Sequence, residues 1–195
     1  MIKKYKNTKD TDKDHRIEIA DHHIYFYSDI TDDTVVELIQ LINELERDML
    51  DVHFRTQIPL QYLPIHLHIS SEGGDVYAGF NAYHYIVNCK VPVYTYVEGF
   101  VASAGTFLSI AGKKRYMQKY ATMMVHQVSF STSQSMTYEK VKDEKVALDM
   151  IMNTIQEIYT KHTKIKKKPL TELLKRDAFM DANMALTNNF VDIVL

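Results

Sequence analysis

Ser103 lies in Gly99-Phe100-Val101-Ala102-Ser103-Ala104-Gly105, between a β-like run and an apolar helical run. Small neighbours let a carbonyl group approach the hydroxyl closely, and free N–H groups at a helix start can hold a developing negative charge. Serine needs a base to take its proton, and His126 in Met123-Met124-Val125-His126-Gln127 offers one. Asp177, Asp181 and Asp192 are each available to orient the imidazole, and spacing alone does not separate them. Upstream, Ser70-Ser71-Glu72-Gly73-Gly74 is a second glycine turn. A glycine there, Gly73 or Gly74, can leave its backbone N–H open to a substrate oxygen as one half of an oxyanion hole, with the Ala104 N–H as the other. These pieces point to acyl transfer through a serine. Each also has a plainer reading: Ser103 as a helix cap, His126 as a buried histidine with one partner, the glycines as a tight turn. The strict G-x-S-x-G elbow is not met, because position 101 is valine.

The elements that would position these groups alternate. Ile24 to Tyr27 reads as a strand, and acids at Asp29 to Asp33 open a helix carrying Val35, Leu38, Ile42, Leu45 and Met49 at helical spacing. Leu50 to Leu63, with Pro59, reads as a loop or frayed end. A strand through Ile65, Leu67 and Ile69 ends at the glycine turn, and Val76 to Asn88 suits a helix. Val91 to Val97 is a strand, Ser103 to Ala111 a helix, and Lys114 to Met117 and Thr122 to Val125 short strands. Polar Ser129 to Thr137 precedes a long helix from Tyr138 to His162, and Leu170 to Lys175 forms a last one. This alternation predicts an α/β layer fold with a mostly parallel sheet, in which sites collect where strands end. Both glycine turns fall at strand ends.

A chain of 195 residues that is 46% apolar can bury one sizeable core. A net charge of −2 gives no reason to expect nucleic acid, and no run reaches the roughly 18 apolar residues of a membrane span. The single cysteine, Cys89, excludes an internal disulfide and fits a reducing, cytoplasmic setting. Met1 to Asp14 is polar and reads as a flexible arm ahead of one domain over residues 15–195. The lysines from Lys161 to Lys168 read as a solvated helix end. His66 and His68 share one face of a strand, but no third ligand stands nearby in sequence, so no metal site is expected.

The order and spacing of these segments resemble the proteolytic subunit of the Clp protease, a family of self-compartmentalised serine peptidases. The resemblance rests on Ile69 to Gly74 with Ala78-Gly79, on Gly99 to Gly105 with Phe107-Leu108, and on Arg115-Tyr116 through Met124 to Gln127. It continues in Arg176 to Ala182 and Phe190 to Ile193, and covers the chain from about Ile24 onward. It implies the family's crotonase-like layered fold, with a handle at about residues 127–162 comprising a protruding strand and a long helix. It implies Ser103 as nucleophile, His126 as general base and acid, and Asp177, in the arginine-aspartate position, as orienting acid. The N–H groups of Gly74 and Ala104 would form the oxyanion hole. Gly73, Gln127, Val128 and Ser129 would bind an extended unfolded polypeptide by β-addition. Two stacked heptameric rings, a tetradecamer, and a hexameric AAA+ unfoldase are implied as well. The chain itself has no P-loop, so ATP belongs to that partner and no cofactor is expected here.

Three departures mark a divergent member. Glu72 stands where the family has proline, putting a carboxylate beside the proposed oxyanion hole. Val128 replaces the proline after His-Gln, and the handle lacks the family's glycines. Together with Lys-, Ile-, Tyr- and Asn-rich usage they suit a virus-encoded protein acting in a host cytoplasm. Competing readings are an inactive ring subunit or scaffold, a viral capsid-maturation protease of the same fold, and a crotonase-like acyl-CoA enzyme. The last needs no serine nucleophile.

Overall fold

The computed structural model describes residues 16–133 and 135–195. The expected arm over residues 1–14 lies outside them. Strands β1 (Arg16–Ala20), β2 (His23–Tyr27), β3 (Ile65–Ser71), β4 (Val93–Ala102), β5 (Lys114–Met117), β6 (Thr122–Val125), β7 (Ala178–Asp181) and β8 (Ile193–Val194) form one sheet. Its main path runs β1-β2-β3-β4-β5-β8, with β6 joining the far end of β4 and β7 pairing with β6. Only β1–β2 and β6–β7 are antiparallel; the other pairings are parallel. The mostly parallel α/β sheet is therefore present.

Period-two alternation settles which face is covered. Ile65, Leu67 and Ile69 of β3 and Val93, Thr95 and Val97 of β4 are fully or almost fully buried. Helices α1 (Asp32–Thr56), α2 (Val76–Asn88) and α3 (Gly105–Ile110) cover that face. Val35, Leu38, Ile42 and Leu45 supply the buried stripe of α1, and α3 is buried at every position. The other face carries half-buried rings: Tyr25 stacks on His68, His68 on Tyr96, and Tyr96 on Tyr116. Burial, then the neighbouring imidazoles, push His66 on this face down to about 4.

Several expectations change. Helix α1 continues through the stretch read as a loop, to Thr56, aided by an Arg55–Asp51 ion pair one turn apart. Gln57 stops it in the left-handed region (φ 60°), two residues ahead of Pro59. A short 3-10 turn, Leu60–Tyr62, follows. Helix α4 (Tyr138–His162) has the expected bounds, and Thr137 caps it through the Lys140 N–H. Its first half leaves Tyr138, Val141, Val146 and Met150 exposed, whereas Ile151, Ile155, Ile158 and Tyr159 are buried. Helix α5 (Lys167–Leu174) starts earlier than expected, because Pro169 sits in its first turn, where a missing N–H costs nothing. Helix α6 (Ala182–Thr187) and strands β1, β7 and β8 were not anticipated.

The handle strand expected over 127–137 is corrected: its described residues form no ladder. A strand exists through its partner, and the polar run from Ser129 gives this segment no apolar face to bury. At its start the Gln127 N–H donates to the Leu174 carbonyl at 2.7 Å, and the Val128 N–H reaches Met152 Sδ at 3.3 Å.

The chain end is locked by Arg115, only 6% exposed, whose guanidinium takes both oxygens of Asp192 and the His162 carbonyl. Burial by itself would raise the Asp192 carboxyl. The hydrogen bonds and charge of Arg115 outweigh that and hold it below the usual carboxylate range. A depressed folded-state value stabilises the fold above the unfolded carboxylate range and loses that stabilisation as pH falls through the folded value. Asp192→Asn should therefore cost about 2–4 kcal/mol near neutral pH, less than a fully buried pair because Asp192 is partly wet. The gap from wild type should close below about pH 4 in denaturant titrations; a gap that persists there would contradict this role.

Candidate active site

Two strand registers bring the distant residues of the site together. In the parallel β4–β6 pair, Ala102 faces Met124, so Ser103 and His126 emerge side by side just past the ends of the two strands. In the antiparallel β6–β7 pair, Val125 faces Ala178, which sets Asp177 across from His126. The resulting contacts run in line. Ser103 Oγ lies 2.7 Å from His126 Nε2, and His126 Nδ1 lies 3.4 Å from Asp177 Oδ1.

Ser103 is held in an uncommon conformation, φ 51°, which lifts its side chain off the end of β4. Its N–H donates to the Met124 carbonyl at 2.8 Å, and its own carbonyl accepts from Thr106 N–H at 3.0 Å. Backbone on both sides thus fixes the hydroxyl. Ala104 follows at the head of α3, where the leading N–H groups lie beyond the reach of the helix's own carbonyls.

The glycine turn is pressed against this corner. The carbonyl of Gly73 accepts from Ile30 N–H at 2.7 Å, and Asp75 N–H donates to the Ile30 carbonyl at 2.8 Å. That parallel bridge pairs Ile30 with Gly74 through the flanking Gly73 and Asp75 groups, so the Gly74 N–H is not engaged by Ile30. Both glycines have positive φ, 102° and 140°. A Cβ on Gly73 would lie 2.7 Å from the Ser103 Cβ, and one on Gly74 only 2.2 Å from the Ile30 carbonyl oxygen. No residue with a side chain fits either place without moving the site.

Gly74, Ser103, Ala104 and His126 line one cleft of about 170 Å³ with Gln127, Val128 and Ser129. Gly73, expected to bind substrate, is buried beside Ser103 and is not among the residues that line the cleft. Phe107, Ile155 and Tyr159 form the cleft's apolar floor. The sequence places Phe107 only within the Ser103 segment and does not bring Ile155 or Tyr159 to the site; the available signal for Tyr159 is its polar tip among apolar helix positions. Its hydroxyl pairs with Thr106 Oγ1 at 2.6 Å, and burial raises its pKa. A larger open depression of about 550 Å³ beside Lys90, Lys113 and Arg115 is also lined by Cys89 and His162. There, however, His162 Nε2 pairs with the Tyr83 hydroxyl at 2.7 Å, and burial pushes the Cys89 thiol up to about 11.

The three candidate aspartates have separate employments. Asp181 caps α6 through the Met184 N–H, Asp192 binds Arg115, and Asp177 alone faces the imidazole. Glu72 is exposed and turns into a different depression with Tyr27, Asp29 and Phe100. Its carboxylate is thus wet and outside the cleft, where water and salt screen it. Asp177 is 65% exposed at its side chain, so it orients the imidazole less firmly than a buried partner would. Asp177→Asn should lower kcat on the order of 10–100-fold with KM little changed, well short of the roughly 10⁴-fold known for a buried triad aspartate. Steady-state kinetics on a peptide substrate would show it, and an unchanged kcat would remove Asp177 from the site.

The geometry of a hydroxyl, an imidazole and a carboxylate in line agrees with what comparison finds. Residues 18–195 match the Clp protease family. The chain is 32% identical over 133 residues to an ATP-dependent Clp protease proteolytic subunit from Deinococcus radiodurans, spanning 67% of this chain and 64% of that protein. It is 34% identical over 137 residues to the corresponding subunit of Bdellovibrio bacteriovorus, spanning 68% and 64%. The chain thus spans just under two thirds of the length of these relatives. Among solved structures, an asparagine-to-aspartate mutant of ClpP1 from Listeria monocytogenes superposes with a TM-score of 0.75 at 21% identity, over 90% of this chain and 91% of that one. At that identity the likeness is one of fold.

Proposed function

Because the chain belongs to the Clp protease family, we propose that it is a serine endopeptidase cleaving unfolded polypeptides through an acyl-enzyme at Ser103. The observation that carries this reading is the 2.7 Å contact between Ser103 Oγ and His126 Nε2, in a cleft that Gly74 and Ala104 also line. Ser103 Oγ attacks the scissile carbonyl carbon as His126 Nε2 takes its proton, and the carbonyl oxygen becomes an oxyanion received by the two amides. The imidazolium, steadied by Asp177, then gives that proton to the leaving amine as the C–N bond breaks. Water repeats the sequence in reverse roles and frees Ser103.

Gln127, Val128 and Ser129 along the cleft suit an extended substrate that supplies the strand partner this segment lacks. Assembly into stacked rings is supported by the exposed apolar side chains Tyr138, Val141, Val146 and Met150 on the first half of α4. In this reading a separate AAA+ unfoldase feeds the chamber and uses the ATP, and the setting is cytoplasmic. Among the described residues, no helix is long and apolar enough to cross a membrane.

Incubation of the purified protein with a fluorophosphonate, followed by peptide mass analysis, tests the assignment. The adduct is expected on the peptide containing Ser103, together with release of fragments from an unfolded protein such as casein. An adduct on another serine, or none in an assembled protein, would overturn the reading.

A further inference from the structure

Away from the cleft, at the N-terminal ends of β2 and β3, the fold gathers histidines that the sequence keeps more than forty positions apart. His22 sits on the two-residue turn between β1 and β2, and His23 opens β2 directly beside His66 of β3. The His66 N–H donates to the His22 carbonyl at 2.9 Å, which ties the turn to the strand. The rings of His23 and His66 stack at 4.4 Å, and those of His22 and His66 lie 5.5 Å apart. One ring nitrogen from each of the three lies within 4.8 Å of the others. We propose that His22, His23 and His66 form a binding site for a first-row divalent transition-metal ion, Zn²⁺ in the first instance, with water completing the shell.

The surroundings prepare two of these rings as ligands. Glu98 Oε1 accepts from His68 Nδ1 at 2.9 Å, and the Tyr27 hydroxyl donates to the other carboxylate oxygen. With Nδ1 carrying the proton, His68 Nε2 is an acceptor, and it faces His23 Nδ1 at 2.9 Å. That relay puts the proton of His23 on Nδ1 and leaves its Nε2 lone pair for a metal. His66 Nδ1 pairs with the Tyr96 hydroxyl at 2.7 Å; with that hydroxyl accepting, the proton sits on Nδ1 and the Nε2 lone pair is left for a metal. A carboxylate or hydroxyl behind a ligating histidine is the usual means of fixing its tautomer and orientation. Three imidazoles and no carboxylate favour Zn²⁺, Ni²⁺ or Cu²⁺ over Mg²⁺ or Ca²⁺, which prefer oxygen. Zn–N bonds of about 2.0–2.1 Å place ligand nitrogens about 3.3 Å apart in a tetrahedron, so loading draws the rings inward. His22, exposed on its turn, is the ring free to do this. The bound ion would staple the β1–β2 hairpin to β3, independently of the reaction at Ser103.

Equilibrium dialysis of the full, untagged protein against ZnCl₂, with metal analysis and a Co²⁺ absorption spectrum, tests the proposal. Wild type should hold one Zn²⁺ per chain and give the visible bands of tetrahedral cobalt. His22→Ala, an exposed change that leaves the core intact, should weaken binding at least roughly tenfold, and His22→Ala with His66→Ala should abolish it. Glu98→Gln should weaken it on the order of tenfold through the relay, while His126→Ala should leave it unchanged. Absence of bound metal in the folded wild type would overturn the proposal. So would retention by the His22 and His66 variants, or loss on His126→Ala, which would place the ion in the cleft.

Discussion

Ser103→Ala should lower kcat on an unfolded polypeptide on the order of 10⁴–10⁶-fold, with folding, assembly and KM nearly unchanged. The size follows from what is lost. Without the hydroxyl there is no covalent route, and what remains is the electrostatic help of the oxyanion hole acting on attack by water. The fold should tolerate the change, because the Ser103 backbone is held by Met124 and Thr106 through main-chain groups that alanine keeps. Removing the hydroxyl 2.7 Å from His126 Nε2 leaves an imidazole that still reaches solvent. The matched measurement is kcat and KM for wild type and variant at equal assembled concentration. A loss of less than about tenfold would mean that the chemistry occurs elsewhere.

Gly74→Ala should be nearly as informative, because it attacks the other half of the mechanism without touching a reactive side chain. The added methyl would meet the Ile30 carbonyl oxygen at 2.2 Å, in a backbone conformation (φ 140°) that side chains rarely adopt. The bridge to Ile30 must open, and the Gly74 N–H turns away from the cleft. Loss of one oxyanion donor raises the barrier by about 3–4 kcal/mol, or roughly 10²–10³-fold in kcat. Broken bridge bonds and strain should also destabilise the fold by about 1–3 kcal/mol. Thermal melting separates the two effects: a variant assayed well below its midpoint is folded, and its lost activity then reports the donor. Activity within about threefold of wild type in such a folded variant would remove Gly74 from the oxyanion hole.

Much of this was legible in the chain because the relevant patterns are local. Alternation in Ile65, Leu67 and Ile69 gave β3 and its buried face, and the helical stripe from Val35 to Leu45 gave α1. The glycine turn and the Ser103 segment announced themselves by composition. What was not legible depends on pairing. Asp177, Asp181 and Asp192 are equivalent by spacing, and only the resemblance favoured Asp177. In the structure it is the β6–β7 register that separates them, through two strands of four residues each. Strands as short as β7 and β8 carry too little alternation to read. Strand β1 was hidden in a polar N-terminal stretch and is defined by its ladder with β2. The handle segment failed in the opposite sense: family resemblance suggested a strand where this single chain offers no partner. Glu72 looked like a threat to the oxyanion because distance in sequence says nothing about which side of a turn a side chain takes.

The most direct test is a crystal structure of the protein inhibited by a peptidyl phosphonate. The phosphorus should be bonded to Ser103 Oγ, its anionic oxygen within about 2.7–3.1 Å of both the Gly74 and Ala104 nitrogens, and His126 Nε2 within hydrogen-bond reach of the ester. A phosphonate bonded elsewhere, or one on Ser103 with its oxygen turned away from those two amides, would contradict the account.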